Sequence, residues 1–490
     1  MAHLDFDEEL VVCLVDDFDA VRAGAAAQCD GDEEGGGEGG GDGDGRLTPA
    51  LRAMECAMRW CVMLLQVYKI AAREFNLMSS CLRLPPIVAR CTLTVLSEAG
   101  GACRDRAQGR SVPMSSRSAR ILVCTPFEDP SWRWLADKPE LSGHQWTFMN
   151  GDLFRRRAHG WVAHGLRCAL WTRRFDLVIT HAPYMTLYVA SAMRLLRRHT
   201  PHLAFSFNHG NLRFFTGARL WMARRSLPSV AGFCVYSAAE RRLLAQRYGL
   251  PVERMSFQHW AVGMPKYPQG PAPRWLEELK PYVCCVGRNN RDFATPAAAV
   301  CGLPVNLLVV CVKGQFTPEA GVENVKVLED QPLELCNQIM AHSMASLVPL
   351  LSDETGAGHI TIVTAMQLGR PQIVTGVETI KDYVFDGIHG IAVPGKDAGA
   401  MRDAILRLLK SPDERERMGE NARAFANEWL DEQAAARSVA HVIDTFLDRG
   451  KTPTAPPGWS EYRKALLTGS VAGISDGPWV ASARGASPEY

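Results

Sequence analysis

Residues 345–376 read "ASLVPLLSDETGAGHITIVTAMQLGRPQIVTG". A short apolar run gives way to a polar loop with two glycines. A longer apolar stretch follows, stops at Gly369-Arg370-Pro371, and leads into a second short apolar run. The middle stretch is too long for most strands and is punctuated like a helix. Strand, loop, helix, strand is the unit of a parallel sheet. Gly356 and Gly358 let the loop backbone approach a ligand closely, and the amides of Gly358, His359, Ile360 and Thr361 have no acceptor inside the helix they open. With the Thr361 hydroxyl added, a diphosphate fits such a helix start. A plain strand-to-helix turn, with glycines there for steric reasons, is the alternative reading.

The alternation extends in both directions. Upstream, "RILVCTP", "FDLVITHAP", "HLAFSFNHG" and "VAGFCVYSA" are separated by helical stretches such as "MTLYVASAMRLLRRH" and "AAERRLLAQRYG". A Pro/Gly-rich segment at 263–275, "GMPKYPQGPAPRW", interrupts the pattern and reads as a linker. Beyond it come "YVCCVGRN", "VNLLVVCVKG", "NVKVLED", "ASLVPLLSD", "RPQIVTG" and "GIAVPG", interleaved with helices. The expectation is an α/β protein with two consecutive parallel-sheet domains, 114–275 and 276–449, and a loose tail over 450–490.

Residues 1–113 differ. Asp30 to Gly45 contains only Gly, Asp and Glu and cannot bury enough apolar surface to order itself, whereas residues 47–75 suit one amphipathic helix. Two readings stay open: an appendage upstream of a functional start at Met114, or a disordered extension. The N-terminus is acidic and lacks the basic-then-apolar pattern of a secretory signal. The best membrane-span candidate, Ala57 to Ala72, is short and carries Arg59 and Lys69. Fifteen scattered cysteines without a CxxC read as reduced thiols, so a cytoplasmic protein is expected.

Net charge is +1, but residues 151–250 hold 16 Arg against Asp152, Asp176 and Glu240, a local charge of about +13. Within "FRRRAHGWVAHGLRCALWTRRF" the arginines alternate with Trp161, Leu166, Leu170 and Trp171 at a helical period, and "RLWMARRS" repeats the theme. Basic helices with aromatic faces suit an anionic bilayer surface; a solvated basic face over core tryptophans is the alternative. No nucleic-acid motif accompanies the charge, so nucleic acid is not expected as a partner.

In open parallel sheets, ligands bind beyond the carboxyl ends of the strands. "VGRNNRDF" ends a strand at Gly287 and places Arg288 and Arg291 at that mouth, where a guanidinium fork suits phosphate. Lys313 ends "LLVVCVKG" on the same edge. In the first domain, His181 ends "FDLVIT" and His209 follows "HLAFSFN" within "NHGN", where either could serve an acceptor hydroxyl as base or bind a sugar.

From about Arg120 to Asp448 the chain resembles the GT-B glycosyltransferases, specifically the family-4-like, group 1 nucleotide-sugar transferases. The resemblance is carried by "VGRNNRDF", by "NVKVLEDQPLELCNQIMAHSMASLVPL" and, throughout, by "AMQLGRPQIVTGVETIKDYVFDGIHGIAVPGKDAGAMRDAILRLLKSPDERERMGENARAF". "FDLVITHAP" and "CVYSAAERRLLAQRYGLPVERMSFQHWAVGMPKYP" follow the pattern more loosely. It implies two Rossmann-like domains facing a cleft, with the acceptor in the first and a nucleoside-diphosphate sugar in the second. It also implies a hydroxyl acceptor such as a glycan or lipid-linked glycan, a hexosyl group transferred with retention, and no metal or other cofactor. By that pattern Arg288 meets the diphosphate, seconded by Lys313 or Arg291. Gly287, Gly356, Gly358, His359, Ile360 and Thr361 frame the phosphates, and Leu328 lies near the base.

One departure bears on catalysis. The family pattern has two glutamates eight residues apart, and here those positions are Gly356 and Thr364. Glu354 is the nearest acid and is the candidate for the first. A nucleotide-sugar epimerase of the same fold, or a non-catalytic carbohydrate- or nucleotide-binding relative, are the competing readings.

Overall fold

The computed structural model describes residues 118–126, 136–151, 160–209, 214–319, 321–352 and 356–468. The extension expected over 1–113, with its helix, and Glu354 lie outside the described residues.

Two six-stranded, all-parallel sheets are present. The first contains β1 (Arg120–Thr125), β2 (Gln145–Asn150), β3 (Leu177–His181), β4 (His202–Phe205), β5 (Gly232–Val235) and β6 (Met255–Phe257), in the order β2-β1-β3-β4-β5-β6. Between them run α1 (Gly160–Trp171), α2 (Pro183–Leu195), α3 (Gly217–Ser226) and α4 (Ala238–Tyr248). Strands β1, β3, β4 and β5 coincide with the expected apolar runs and are buried, as strands covered by helices on both faces must be. Strand β2 is an edge strand with no fully buried residue, and β6 has only three residues. Neither offers a continuous apolar run to read.

A short helix α5 (Arg274–Glu277) precedes the second sheet. Its strands are β7 (Tyr282–Val286), β8 (Asn306–Cys311), β9 (Val325–Glu329), β10 (Ser346–Val348), β11 (Gln372–Thr375) and β12 (Gly390–Val393), in the order β12-β11-β10-β7-β8-β9. The helices are α6 (Ala294–Val300), α7 (Leu333–His342), α8 (His359–Gln367), α9 (Ala398–Lys410) and α10 (Pro412–Trp429). All six strands fall on the expected runs. Strand order reverses between β7 and β10, and in the first sheet between β1 and β3. Such switch points open the crevices where doubly wound sheets take ligands.

The domain boundary at 449 is corrected, and so is the loose tail as far as residue 468; residues 469–490 lie outside the described residues. Helix α11 (Glu432–Arg449) follows the second sheet in sequence but packs on the first. Its Ala436, Val439, Ala440, Val442, Ile443 and Phe446 are buried against Ile121, Val123, Ile179 and Leu203. Asp431 caps it by accepting the Ala434 N–H at 2.7 Å. Past Gly450 the chain stays attached. The Thr454 carbonyl accepts the Phe257 N–H at 3.0 Å, and α12 (Trp459–Thr468) seats Trp459 edge-on to His259 with ring centroids 4.4 Å apart. Apolar area at Trp459 and Leu466, each 2% exposed, holds a segment whose Pro/Gly content reads as loose.

Candidate donor and acceptor sites

The candidate donor site lies at the switch point where β7 and β10 end side by side. Gly287 closes β7 with φ of +157°, and a Cβ there would lie 2.4 Å from Arg291 Nε. The glycine is required because the Arg291 guanidinium runs beneath it. Arg291 Nη1 donates to the Asn289 carbonyl at 2.9 Å and Nη2 to Thr361 Oγ1 at 3.2 Å, and Thr361 Oγ1 donates to the Val286 carbonyl at 3.2 Å. These bonds tie the end of β7 to the first turn of α8. Arg291, expected at the mouth, is instead 6% exposed and supports the site from below. The Thr361 hydroxyl is likewise committed to this strut, while its amide stays at the helix start.

Gly358 is the N-cap of α8 with φ of +87°, and the first intrahelical bond runs from the Ile362 N–H to the Gly358 carbonyl at 2.9 Å. The amides of His359, Ile360 and Thr361 therefore have no acceptor within the helix and sit at its positive end. Arg288 follows Gly287 half-buried, with its carbonyl accepting from the Gln315 side chain. Lys313 is exposed just past β8, its backbone N–H bound to Asp330 Oδ1 at 3.3 Å, and Leu328 is partly buried on β9. The structure thus brings Gly287, Arg288, Gly356, Gly358, His359, Ile360 and Thr361 together, with Lys313 and Leu328 on the neighbouring strands.

His359 is 5% exposed, and burial lowers its pKa to about 4, with Arg291 adding to the effect, so the ring is neutral. It lies 4.6 Å from the Tyr383 ring, and its Nε2 is buried without a hydrogen-bond partner among the described residues.

Across from this loop stands the N-terminus of α4, from the first sheet. Ser237 caps it, accepting the Glu240 N–H at 3.1 Å, and Glu240 Oε2 returns to accept the Tyr236 N–H at 3.1 Å. Glu240 Oε1 accepts the Gly356 N–H at 3.3 Å. Asp382 Oδ2 accepts the Ala238 N–H at 2.7 Å, and Tyr383 Oη donates to the Tyr236 carbonyl at 2.7 Å. Burial raises the Glu240 carboxyl to about 7, with Asp382 adding to the rise against the hydrogen bonds that lower it. These cross-domain residues were not anticipated; the only sequence signal was Ser237-x-x-Glu240, the spacing of a capping box.

On the acceptor side, His181 ends β3 at the first sheet's switch point, half-buried, and burial lowers it to about 4. The next residue, Ala182, has φ of +78°, a conformation that costs a non-glycine residue on the order of 1–3 kcal/mol and clusters at functional sites. His209 is placed differently from the expectation. Its ring packs edge-on to Phe207, Phe214 and Phe215, and Nε2 meets Tyr248 Oη at 2.8 Å, inside the first domain's aromatic core. At 1% exposure it faces that core and not the crevice.

A cavity of about 340 Å³ lies elsewhere, lined by Arg370, Arg415 and Arg423 among others. Those guanidiniums cap the carbonyls of Ser343, Leu408 and Leu368, a structural use of charge at helix ends. Among the described residues no three His, Cys, Asp or Glu side chains converge as metal ligands, and no helix is long and apolar enough to cross a membrane.

Two family profiles match the chain, one described as Glycosyltransferase Family 4 over residues 121–261 and one described as Glycosyl transferases group 1 over residues 314–425. Together they span just over half of its length. The chain is 27% identical over 238 residues to a D-inositol 3-phosphate glycosyltransferase from Nocardia farcinica, covering 43% of this chain and 50% of that protein. It is 40% identical over 80 residues to an alpha-D-kanosaminyltransferase from Streptomyces kanamyceticus, covering 16% and 20%. It therefore spans half or less of these relatives. Among solved structures, sucrose-phosphate synthase from Thermosynechococcus elongatus superposes with a TM-score of 0.53 at 17% identity, covering 68% of this chain and all of that one. Anabaena HepE, solved with UDP and glucose, gives 0.52 at 15%, covering 67% and all. At these identities the likeness is one of fold, which is GT-B. With the first sheet inside one profile and β9 to β12 inside the other, the chain belongs to the group 1 glycosyltransferases with a family-4 first domain.

Proposed function

We propose that the protein transfers a hexosyl group from a nucleoside-diphosphate sugar to a hydroxyl acceptor, with retention of configuration and without a metal. The observation that carries this reading is the placement, at the second sheet's switch point, of Arg288 just past β7 and of the positive N-terminus of α8 after the neighbouring strand β10. In the reaction a bond forms between the acceptor oxygen and the anomeric carbon, and the bond from that carbon to the diphosphate oxygen breaks. The hydroxyl proton passes to the neutral imidazole of His181, and the nucleoside diphosphate departs with the negative charge. Arg288, Lys313 and the α8 amides stabilise that leaving charge, the task a cation otherwise performs. His181, neutral and at the opposing switch point, meets the acceptor hydroxyl. Glu354 is proposed as the acid that serves for the family's first glutamate, and His209 supports the acceptor side from behind. HepE, of the same fold, is described with UDP and glucose, which favours a nucleotide-sugar donor here.

A thermal-shift screen of uridine, guanosine, adenosine and thymidine diphosphates and their sugars, followed by coupled detection of the released diphosphate, tests the reading. Release that requires an acceptor is the expected result. Interconversion of sugar nucleotides with no acceptor present would replace it with an epimerase.

The acceptor is proposed to be a glycan or lipid-linked glycan presented at an anionic membrane surface. On the adjoining helices α1, α2 and α3 and the turn after α1, Leu170, Trp171, Leu195 and Trp221 are 45, 37, 62 and 58% exposed. Arg174 stacks 4.6 Å over Trp171 and Arg225 4.5 Å over Trp221. Exposed aromatics under guanidiniums match the headgroup boundary of an anionic bilayer. Flotation with phosphatidylglycerol vesicles should fall as salt rises from 0.05 to ~0.5 M, since screening shortens the reach of surface charge, and should weaken in a Trp171→Ser, Trp221→Ser double variant. Equal flotation with neutral vesicles would remove the membrane from the reading.

A further inference from the structure

Gly356 sits two residues ahead of the α8 N-cap, and both edges of its peptide are held by the first domain. Its N–H is accepted by Glu240 Oε1 at 3.3 Å and its carbonyl accepts from Asn208 Nδ2 at 3.4 Å. A Cβ at position 356 would lie 3.0 Å from Glu240 Oε1 and 2.5 Å from His359 Cε1. The space a side chain would claim at that point of the loop is therefore filled by a carboxylate from the facing domain and by the buried histidine. Glu240 is 1% exposed, and a carboxyl group is seldom buried so fully for a helix cap alone, because Ser237 already supplies one.

We propose that Glu240 is a positioning residue that acts across the cleft: by accepting the Gly356 N–H it holds the Gly356–Thr361 segment in its anion-receiving shape, so the donor site is complete only while α4 is docked on it. The proposal rests on reading that segment as the donor site. It places the carboxylate on the first domain, so acceptor-domain docking and donor affinity are coupled, and whatever separates α4 from the loop releases both the amide and the nucleotide. Asp382 on the N-terminus of α4 and Tyr383 on the Tyr236 carbonyl form the rest of this contact.

The groups facing Glu240 are Asp382, Tyr236, Tyr383 and His359, with Arg291 behind the last. The two tyrosines are pushed above their ordinary range by burial, and His359 is held near 4, so none of these three changes charge between pH 6 and 8. Glu240, raised to about 7, ionises more readily when exposed than when docked. Undocking is therefore favoured as pH rises from the ordinary carboxylate range, about 4.5, to about 7, and the effect levels off above that.

Hydrogen–deuterium exchange of the full chain, without nucleotide and corrected for intrinsic rates, tests the coupling on peptides spanning Gly356–Thr361. Glu240→Ala should speed exchange there roughly tenfold, the order expected when a hydrogen bond to a carboxylate is lost. Ser237→Ala removes the α4 cap and the 3.4 Å bond from Ser237 Oγ to Glu240 Oε2 but leaves Oε1 on the Gly356 N–H; it should lower the melting temperature and open the segment less than Glu240→Ala does. Glu240→Gln keeps the shape and serves if the alanine variant does not fold. The wild type should lose protection as pH rises from about 5 to about 7 and stay level above it, the glutamine variant should stay level throughout, and Asp382→Asn, which removes a charge that raises Glu240, should move the fall to lower pH. Wild-type exchange in Glu240→Ala, a pH slope retained in Glu240→Gln, or equal opening in Ser237→Ala would overturn the proposal. UDP titrated into the same samples separates the two claims. A wild type indifferent to UDP and to the other diphosphates defeats the donor-site reading, while the exchange result still decides whether Glu240 holds the loop.

Discussion

Arg288→Ala is expected to remove between about half and almost all of the thermal stabilisation conferred by a nucleoside diphosphate. Arg288 leaves the sheet at its switch point, directly after Gly287, as a half-buried residue whose carbonyl accepts from the Gln315 side chain. A hydrogen bond to a charged group contributes about 1.5–3 kcal/mol, which corresponds to roughly 10–100-fold in Kd. At a ligand concentration 100 times Kd, binding stabilises the fold by about 2.7 kcal/mol. A hundredfold weaker site at the same concentration keeps only about 0.4 kcal/mol by the same relation, a shift close to the noise of a melting curve. Lys313→Ala is the internal comparison. Lys313 is exposed, and solvent screening limits such a contact to about 0–1 kcal/mol, so most of the shift should remain. A ligand-induced shift in Arg288→Ala equal to that of the wild type would sink the assignment of Arg288 to the diphosphate.

Why the donor side was more legible in the sequence than the acceptor side has a physical explanation. All six strands of the second sheet are short apolar runs with turn residues after them, and the glycines at 287, 356 and 358 mark where backbone conformation or close packing excludes a side chain. These are local properties, and sequence carries local properties well. The first sheet hides β2, because an edge strand with one face in solvent has no continuous apolar run, and β6, because three residues are too few to show a period. Helix α11 follows the second sheet in sequence yet covers the first, and nothing in its amphipathic pattern says which sheet receives it.

Side-chain direction was the other limit. His209 and Arg291 both stand just beyond strand ends, where ligands are met, but each side chain turns inward, one to Tyr248 and the other beneath Gly287. The Glu240–Gly356 contact joins residues 116 apart. A capping-box spacing announces that Glu240 folds back on its own helix, and its second oxygen is left to be found in the tertiary structure. The missing acid at position 356 and the buried acid at 240 are thus one feature seen from two places in the chain.

Arg291→Lys separates charge from geometry at the base of the site. The wild-type guanidinium serves two acceptors, the Asn289 carbonyl at 2.9 Å and Thr361 Oγ1 at 3.2 Å, while its flat face backs Gly287 and Gly358. An ammonium is a compact point charge on a flexible stem and cannot span both acceptors or fill the planar slot. Loss of one bond from a charged donor in a residue 6% exposed should cost about 1.5–3 kcal/mol. For a domain of about 150–250 residues that is a fall in Tm of roughly 3–12 °C, at about 2–4 °C per kcal/mol. Nucleoside-diphosphate affinity should fall with it even though the positive charge is kept, because the strut that aligns the Thr361 amide with its neighbours on α8 has slackened. Arg288→Lys should show the opposite balance, with unchanged Tm and most of the affinity retained, since a surface ammonium still reaches a phosphate oxygen. If Arg291→Lys melts and binds like the wild type, the site needs only charge at that position. If Arg288→Lys is the variant that loses stability, the roles of the two arginines must be exchanged.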